Sequence, residues 1–138
     1  MKMHLKRIDD AFNFQATAEN GNTVLMDGSK EIGGNEKGIG PMQMLIAAIG
    51  GCSAIDIVMI LKKQKQEITS FEMEINGERE LNKEPSLWQD IHIDFILKGN
   101  IDADKAQRAI ELSMDKYCSV SKTLEAAGAK ITYALKLN

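Results

Sequence analysis

Over the first quarter of the chain, hydrophobic and polar residues alternate with a period of two, the rhythm of strands whose successive side chains face opposite ways. The alternation predicts short strands at residues 3–8, 12–18 and 23–26, split by Asp9-Asp10 and by Glu19-Asn20-Gly21-Asn22, residues that tight turns use. A meander is expected. Residues 27–40 then lose all periodicity and carry Gly28, Gly33, Gly34, Gly38 and Gly40, so a surface loop is predicted. Pro41 suits the first position of a helix, where its missing N–H would be unpaired in any case. That helix is predicted to run to about residue 64, with Lys62, Lys63 and Lys65 at its negative end.

Alternation returns at Phe71, Met73 and Ile75 and again at Ile91, Ile93, Phe95 and Leu97, giving two half-buried strands. The polar stretch 77–86 between them reads as the long connection of an antiparallel hairpin. Asp102 is placed to cap a helix whose Ala106, Ala109, Ile110, Met114 and Tyr117 share one face. After Tyr117 a further helix is predicted over 120–127, capped by Ser119 and ended by Gly128. Ile131, Tyr133, Leu135 and Leu137 then mark a last strand. Strands, long helix, strands, two helices and a strand make an α+β fold rather than a series of βαβ units.

The long helix is apolar on every side, through Met42, Leu45, Ile49, Ile55, Val58, Met59 and Leu61. One sheet face in a small domain cannot cover such a helix, so a second subunit is expected against it. Its length of roughly 20 residues would also span a bilayer. Gln43, Gly50, Gly51, Ser53 and Asp56 interrupt it, and an ionised Asp is costly near a bilayer centre, so a buried helix is expected and no membrane partner.

With 138 residues, 43% of them hydrophobic, the chain can bury one core, and a single domain over 1–138 is expected. The opening MKMHLKRIDD lacks the pattern of a secretory leader, and two cysteines are too few for a stapled scaffold, so a cytoplasmic protein with reduced thiols is expected. A net charge of −3 with dispersed lysines and one Trp gives no stripe or stacking platform for nucleic acid.

Candidate chemistry rests on the two cysteines. Cys52 follows Gly50-Gly51 in the middle of the long helix, where two glycines should cost about 1 kcal/mol each relative to Ala. Close helix packing and access of another molecule to the sulfur both explain them. Cys118 precedes Ser119 at a predicted helix start, where free N–H groups favour a thiolate, and Lys116 and Lys122 flank it. An ordinary structural cysteine remains the alternative. His4 and His92 lie on strands as solvated or edge residues, and no Cys/His spacing suits zinc, so neither metal nor cofactor is expected. Gly33 to Gly40 lacks the Lys-Ser/Thr ending of a phosphate loop, and Trp88 reads as core.

The run Gly40-Pro41-Met42-Gln43-Met44-Leu45-Ile46-Ala47-Ala48-Ile49-Gly50-Gly51-Cys52, with Lys116-Tyr117-Cys118-Ser119-Val120-Ser121-Lys122-Thr123-Leu124 beginning 64 positions after Cys52, resembles the OsmC/Ohr family. The resemblance covers essentially the whole chain. It implies an OsmC-like fold with two long central helices packed against antiparallel sheets, and an intertwined homodimer with sites at its interface. It also implies thiol-dependent reduction of organic hydroperoxides. In that chemistry the residue at Cys52 attacks the peroxide, the residue at Cys118 resolves it as a disulfide, and an external dithiol restores the pair. The family's Glu position is Met42 here and its OsmC-type Arg position is Ile32, while Asp56, one turn past Cys52, would oppose activation if ionised. A divergent branch of the family is therefore indicated. Two alternatives stay open: a non-peroxidase dimer that binds a small apolar ligand or carries a thiol adduct at Cys52, and a dimer with structural cysteines.

Overall fold

A computed structural model describes all residues, Met1–Asn138, which divide into two compact units, Met1–Leu45 and Ile46–Asn138. The first unit is the expected meander: β1 (Met3–Arg7), β2 (Phe14–Ala18) and β3 (Thr23–Met26) pair antiparallel in chain order. The β1–β2 turn is held by Asp9, whose Oδ1 accepts from the N–H groups of Ala11 and Asn13 at 2.9 and 3.2 Å. Residues 27–40 form the surface loop expected of them, fastened at several points. The Asp27 side chain is buried and accepts from Gly28 N–H at 2.7 Å and from Lys37 N–H at 3.0 Å, and Met26 bridges to Ile39. A single 3-10 turn, Lys30–Ile32, completes the segment.

Helix α1 (Pro41–Lys63) begins at the predicted proline and passes into the second unit. Ile49, Ser53, Ile57 and Leu61, four residues apart, form the stripe it buries, while Leu45, Ile55, Val58 and Met59 remain exposed. Serine fits this stripe because its hydroxyl donates back to the carbonyl of Ile49 at 2.8 Å. By length and composition α1 could cross a membrane. Its buried stripe instead joins a core with Ile91, Ile93, Phe95, Leu97, Ala106, Ala109 and Ile110.

Strands β4 (Glu67–Arg79) and β5 (Trp88–Asn100) form the expected antiparallel hairpin, but each is 13 residues long and the pairing runs through Gly77. The Trp88 ring explains this: a β-carbon at Gly77 would lie 2.7 Å from Trp88 Cζ3, so the indole covers the glycine that looked like the start of a loop. Ile91, Ile93, Phe95 and Leu97 alternate inward, with Phe95 between Phe71 and Tyr133 at ring separations of 6.4 and 6.3 Å.

Two expectations are corrected here. The last strand, β6 (Lys130–Leu137), pairs with β5 in parallel, so the second sheet is mixed rather than antiparallel. Side-chain alternation carries no direction, and a parallel neighbour needs a long crossover, which the segment from Ile101 to Ala129 supplies. The second helix is also shorter than a long central helix: α2 (Ala103–Leu112) has 10 residues, then a π-type turn (Ser113–Tyr117) intervenes before α3 (Ser119–Ala126). Asp102 caps α2 as expected, accepting from Lys105 N–H at 3.0 Å, and Gly128 at φ +103° lies just past α3. Only at such a φ is glycine favoured over other residues.

Candidate active site: the Cys52–Cys118 pair

Cys52 lies mid-way along α1 and is half-buried. Cys118 is fully buried and sits at the junction of the π-type turn and α3. Its backbone N–H donates to the Ser113 carbonyl at 2.7 Å, which closes the turn, and its sulfur accepts from Ser121 N–H at 3.4 Å, which opens the helix. The cap of α3 is thus Cys118 and not Ser119. Both thiols are free, and they meet: the Cys52 side chain is a hydrogen-bonding and electrostatic neighbour of the Cys118 sulfur.

The pair is unequal. Burial pushes the Cys118 thiol up to about 11, Ser121 and Val120 N–H groups pull it down by less, and Cys52 adds to the rise as hydrogen-bond partner and as charge. Cys118 therefore keeps its proton at neutral pH. The expectation of a Cys118 thiolate at a helix N-terminus is corrected, because desolvation of a wholly buried sulfur outweighs the donors at the helix start. The flanking lysines do not alter this: Lys122 pairs with Glu125 at 2.9 Å and Lys116 lies over the Tyr117 ring at 5.4 Å.

A neighbouring contact ties the two cysteine-bearing segments together. Ser113 is fully buried, and its hydroxyl lies 3.0 Å from Asp56 Oδ2 and 3.5 Å from the Ser53 carbonyl. One hydroxyl proton cannot serve both, and the shorter contact to the carboxylate takes it. Asp56 was visible in the sequence as a charge near Cys52, but Ser113 was not singled out. A signal existed, since Ser113 occupies the same face as Ala106, Ala109 and Ile110 and a polar residue on an apolar face needs a buried partner.

The arginines are engaged elsewhere. Arg79 donates to the Ser86 carbonyl at 2.6 Å, Arg108 pairs with Glu111 at 3.4 Å, and Arg7 donates to the Ala11 carbonyl at 2.9 Å. His92 lies on β5, the central strand of its sheet and not an edge, and its Nδ1 lies 2.7 Å from Thr132 Oγ1 on β6. No group of three or more His, Cys, Asp or Glu side chains is arranged to hold a metal ion. Within the first unit, Leu5, Phe12, Phe14, Met26 and Ile32 line an apolar cavity of about 490 Å³, and Ile32 is the position where the sequence resemblance would place an Arg.

Comparison with known proteins finds likenesses of sequence and of fold. The model of the OsmC-like protein family matches residues 33–134. Protein YhfA of Escherichia coli strain K12 is 37% identical over 129 residues, which span 93% of this chain and 92% of that protein. The crystal structure of a hypothetical protein from Aquifex aeolicus VF5 superposes with a TM-score of 0.80 at 28% identity, over 99% of this chain and 96% of the other. An organic hydroperoxide resistance protein OsmC from Legionella pneumophila superposes with a TM-score of 0.67 over 100% and 97% of the two chains. At 14% identity that likeness is one of fold.

Proposed function

The chain belongs to the OsmC-like protein family, and on that premise we propose that it is a thiol-redox enzyme that reduces organic hydroperoxides with Cys52 as attacking and Cys118 as resolving thiol. The observation that carries this reading is the inequality of the pair. Cys118 is buried and holds its proton, whereas Cys52 is half-open to a reagent and has a thiol donor beside it. The sulfur that a reagent can reach is the one placed to attack, and the buried one is placed to react with its neighbour.

The Cys52 thiolate attacks the outer oxygen of the peroxide, the O–O bond breaks, and the alkoxide leaves with its electron pair and takes a proton from water. The Cys52 sulfenic acid then meets the Cys118 thiol. A Cys52–Cys118 bond forms, the sulfenic oxygen departs as hydroxide, and the Cys118 proton converts it to water. An external dithiol reduces the disulfide by two exchange steps and is itself oxidised. The reducing cytoplasm supplies such dithiols and is the compartment this cycle requires. The working form is a homodimer, a reading supported by the exposed apolar residues Leu45, Ile55, Val58 and Met59 along α1.

Consumption of cumene hydroperoxide and of hydrogen peroxide, driven by excess dithiothreitol, tests the reading. Wild type should turn over, Cys52→Ser should match the uncatalysed rate, and wild type no faster than Cys52→Ser would end the peroxidase reading. One observation favours a second reading, a carrier of small apolar ligands: the apolar cavity of the first unit. That reading gains if a fatty acid or aryl probe binds saturably while peroxide is not consumed.

A further inference from the structure

Cys118 stands beside Cys52 at the end of an irregular backbone segment. The five residues before it form a π-type turn, a wide and weakly preferred geometry, and its closing bond joins the Cys118 N–H to the Ser113 carbonyl at 2.7 Å. Ser113 is in turn fastened from its side chain to Asp56, one helical turn along α1 from Cys52. The two hydrogen bonds run in series from the helix bearing one sulfur to the backbone bearing the other.

We propose that Asp56 and Ser113 are positioning residues that clamp the π-type turn to α1 and so hold the Cys118 sulfur in line for attack on an oxidised Cys52. The proposal rests on the two-cysteine reading above. Neither residue touches the reacting atoms. The clamp acts through its length and direction, so what it needs from residue 56 is an oxygen that accepts from the Ser113 hydroxyl, with or without a charge. It also accounts for the one charged residue of α1 between Leu45 and Leu61.

The step it governs can be read without a peroxide. Dithiobis(nitrobenzoate) reacts at the accessible Cys52, which expels one thionitrobenzoate in a phase that depends on reagent concentration and keeps the second as a Cys52–thionitrobenzoate disulfide. The Cys118 sulfur, losing its proton to solvent, then attacks the Cys52 sulfur and expels thionitrobenzoate, which is followed by its absorbance. Wild type should release it in a first-order, concentration-independent phase. Asp56→Ala and Ser113→Ala should slow that phase by about tenfold or more, with the initial reaction at Cys52 less affected, since an error of about 1 Å in placement is worth up to about a hundredfold. Asp56→Asn keeps an acceptor oxygen and should stay within a few-fold of wild type.

Release in both alanine variants as fast as in wild type overturns the clamp. A loss in Asp56→Asn as deep as in Asp56→Ala also overturns it, since the carboxylate charge and not the hydrogen bond would then matter. If Asp56→Ala does not fold, the comparison of Ser113→Ala with Asp56→Asn decides the same question. Wild type that retains thionitrobenzoate refutes the cysteine pairing and the clamp together. Wild type that releases it but consumes no hydroperoxide refutes only the peroxidase reading.

Discussion

Gly50 and Ile75 are in contact where α1 lies on β4: a β-carbon at Gly50 would stand 2.8 Å from Ile75 Cδ1, whereas one at Gly51 would meet nothing within 4 Å. The adjacent glycines therefore do different things. Gly50 is a packing residue, and Gly51, beside Cys52, leaves open space. Alanine gains about 1 kcal/mol of helix propensity over glycine at either position, but at Gly50 the Ile75 methyl must move. The propensity gain is the same at both, so Gly51→Ala is expected to be more stable than Gly50→Ala in urea unfolding by the overpacking cost at Ile75, about 1 kcal/mol. Equal stabilities would show that Ile75 gives way without cost.

The Asp27 carboxylate is the fastening of residues 28–40. Removing it leaves the Gly28 and Lys37 N–H groups without their acceptor, a loss of about 1–3 kcal/mol when such groups are buried. Asp27→Ala should lower stability by that order and make the peptide bonds after Lys30 and Lys37 targets for trypsin under native conditions. Cleavage no faster than in wild type would show that the carboxylate does not hold the segment.

The raised Cys118 thiol makes a pH prediction whose sign follows from proton counting. Between the ordinary thiol value of 9.0 and about 11, the folded chain keeps the Cys118 proton while the unfolded chain has lost it. Stability from this group is fully present below pH 9.0 and is lost as pH rises towards about 11. Two units correspond to about 3 kcal/mol at most. Urea unfolding of wild type and Cys118→Ala at pH 8 and pH 11 should give a steeper loss for wild type, and parallel losses would contradict the burial of this thiol.

Much of this architecture could be read from the chain because the signals are local. Pro41 marks the start of α1, Asp102 caps α2, and β3 has the predicted bounds. What escaped depends on residues far apart in sequence. Trp88 covers Gly77 from the opposite strand and lengthens a hairpin that Gly77 seemed to end. The parallel pairing of β6 leaves no trace in its alternation, and Asp27 looks like any loop aspartate until Lys37 folds back on it. At the site, both cysteines were evident as residue types, but the protonation of Cys118 was misjudged. The helix start near it was legible and its complete burial was not. The π-type turn has no sequence signature of its own, so the Asp56–Ser113 link became visible only in three dimensions.

The most direct test of the central claim is mass spectrometry of the reduced protein after stoichiometric cumene hydroperoxide, for wild type, Cys52→Ser and Cys118→Ser. The account predicts loss of both thiols in wild type with a Cys52–Cys118 bridge, a dimedone-trappable sulfenic acid on Cys52 in Cys118→Ser, and an unmodified Cys118 in Cys52→Ser. Sulfenic acid appearing first on Cys118, or two thiols that survive the peroxide in wild type, would contradict it.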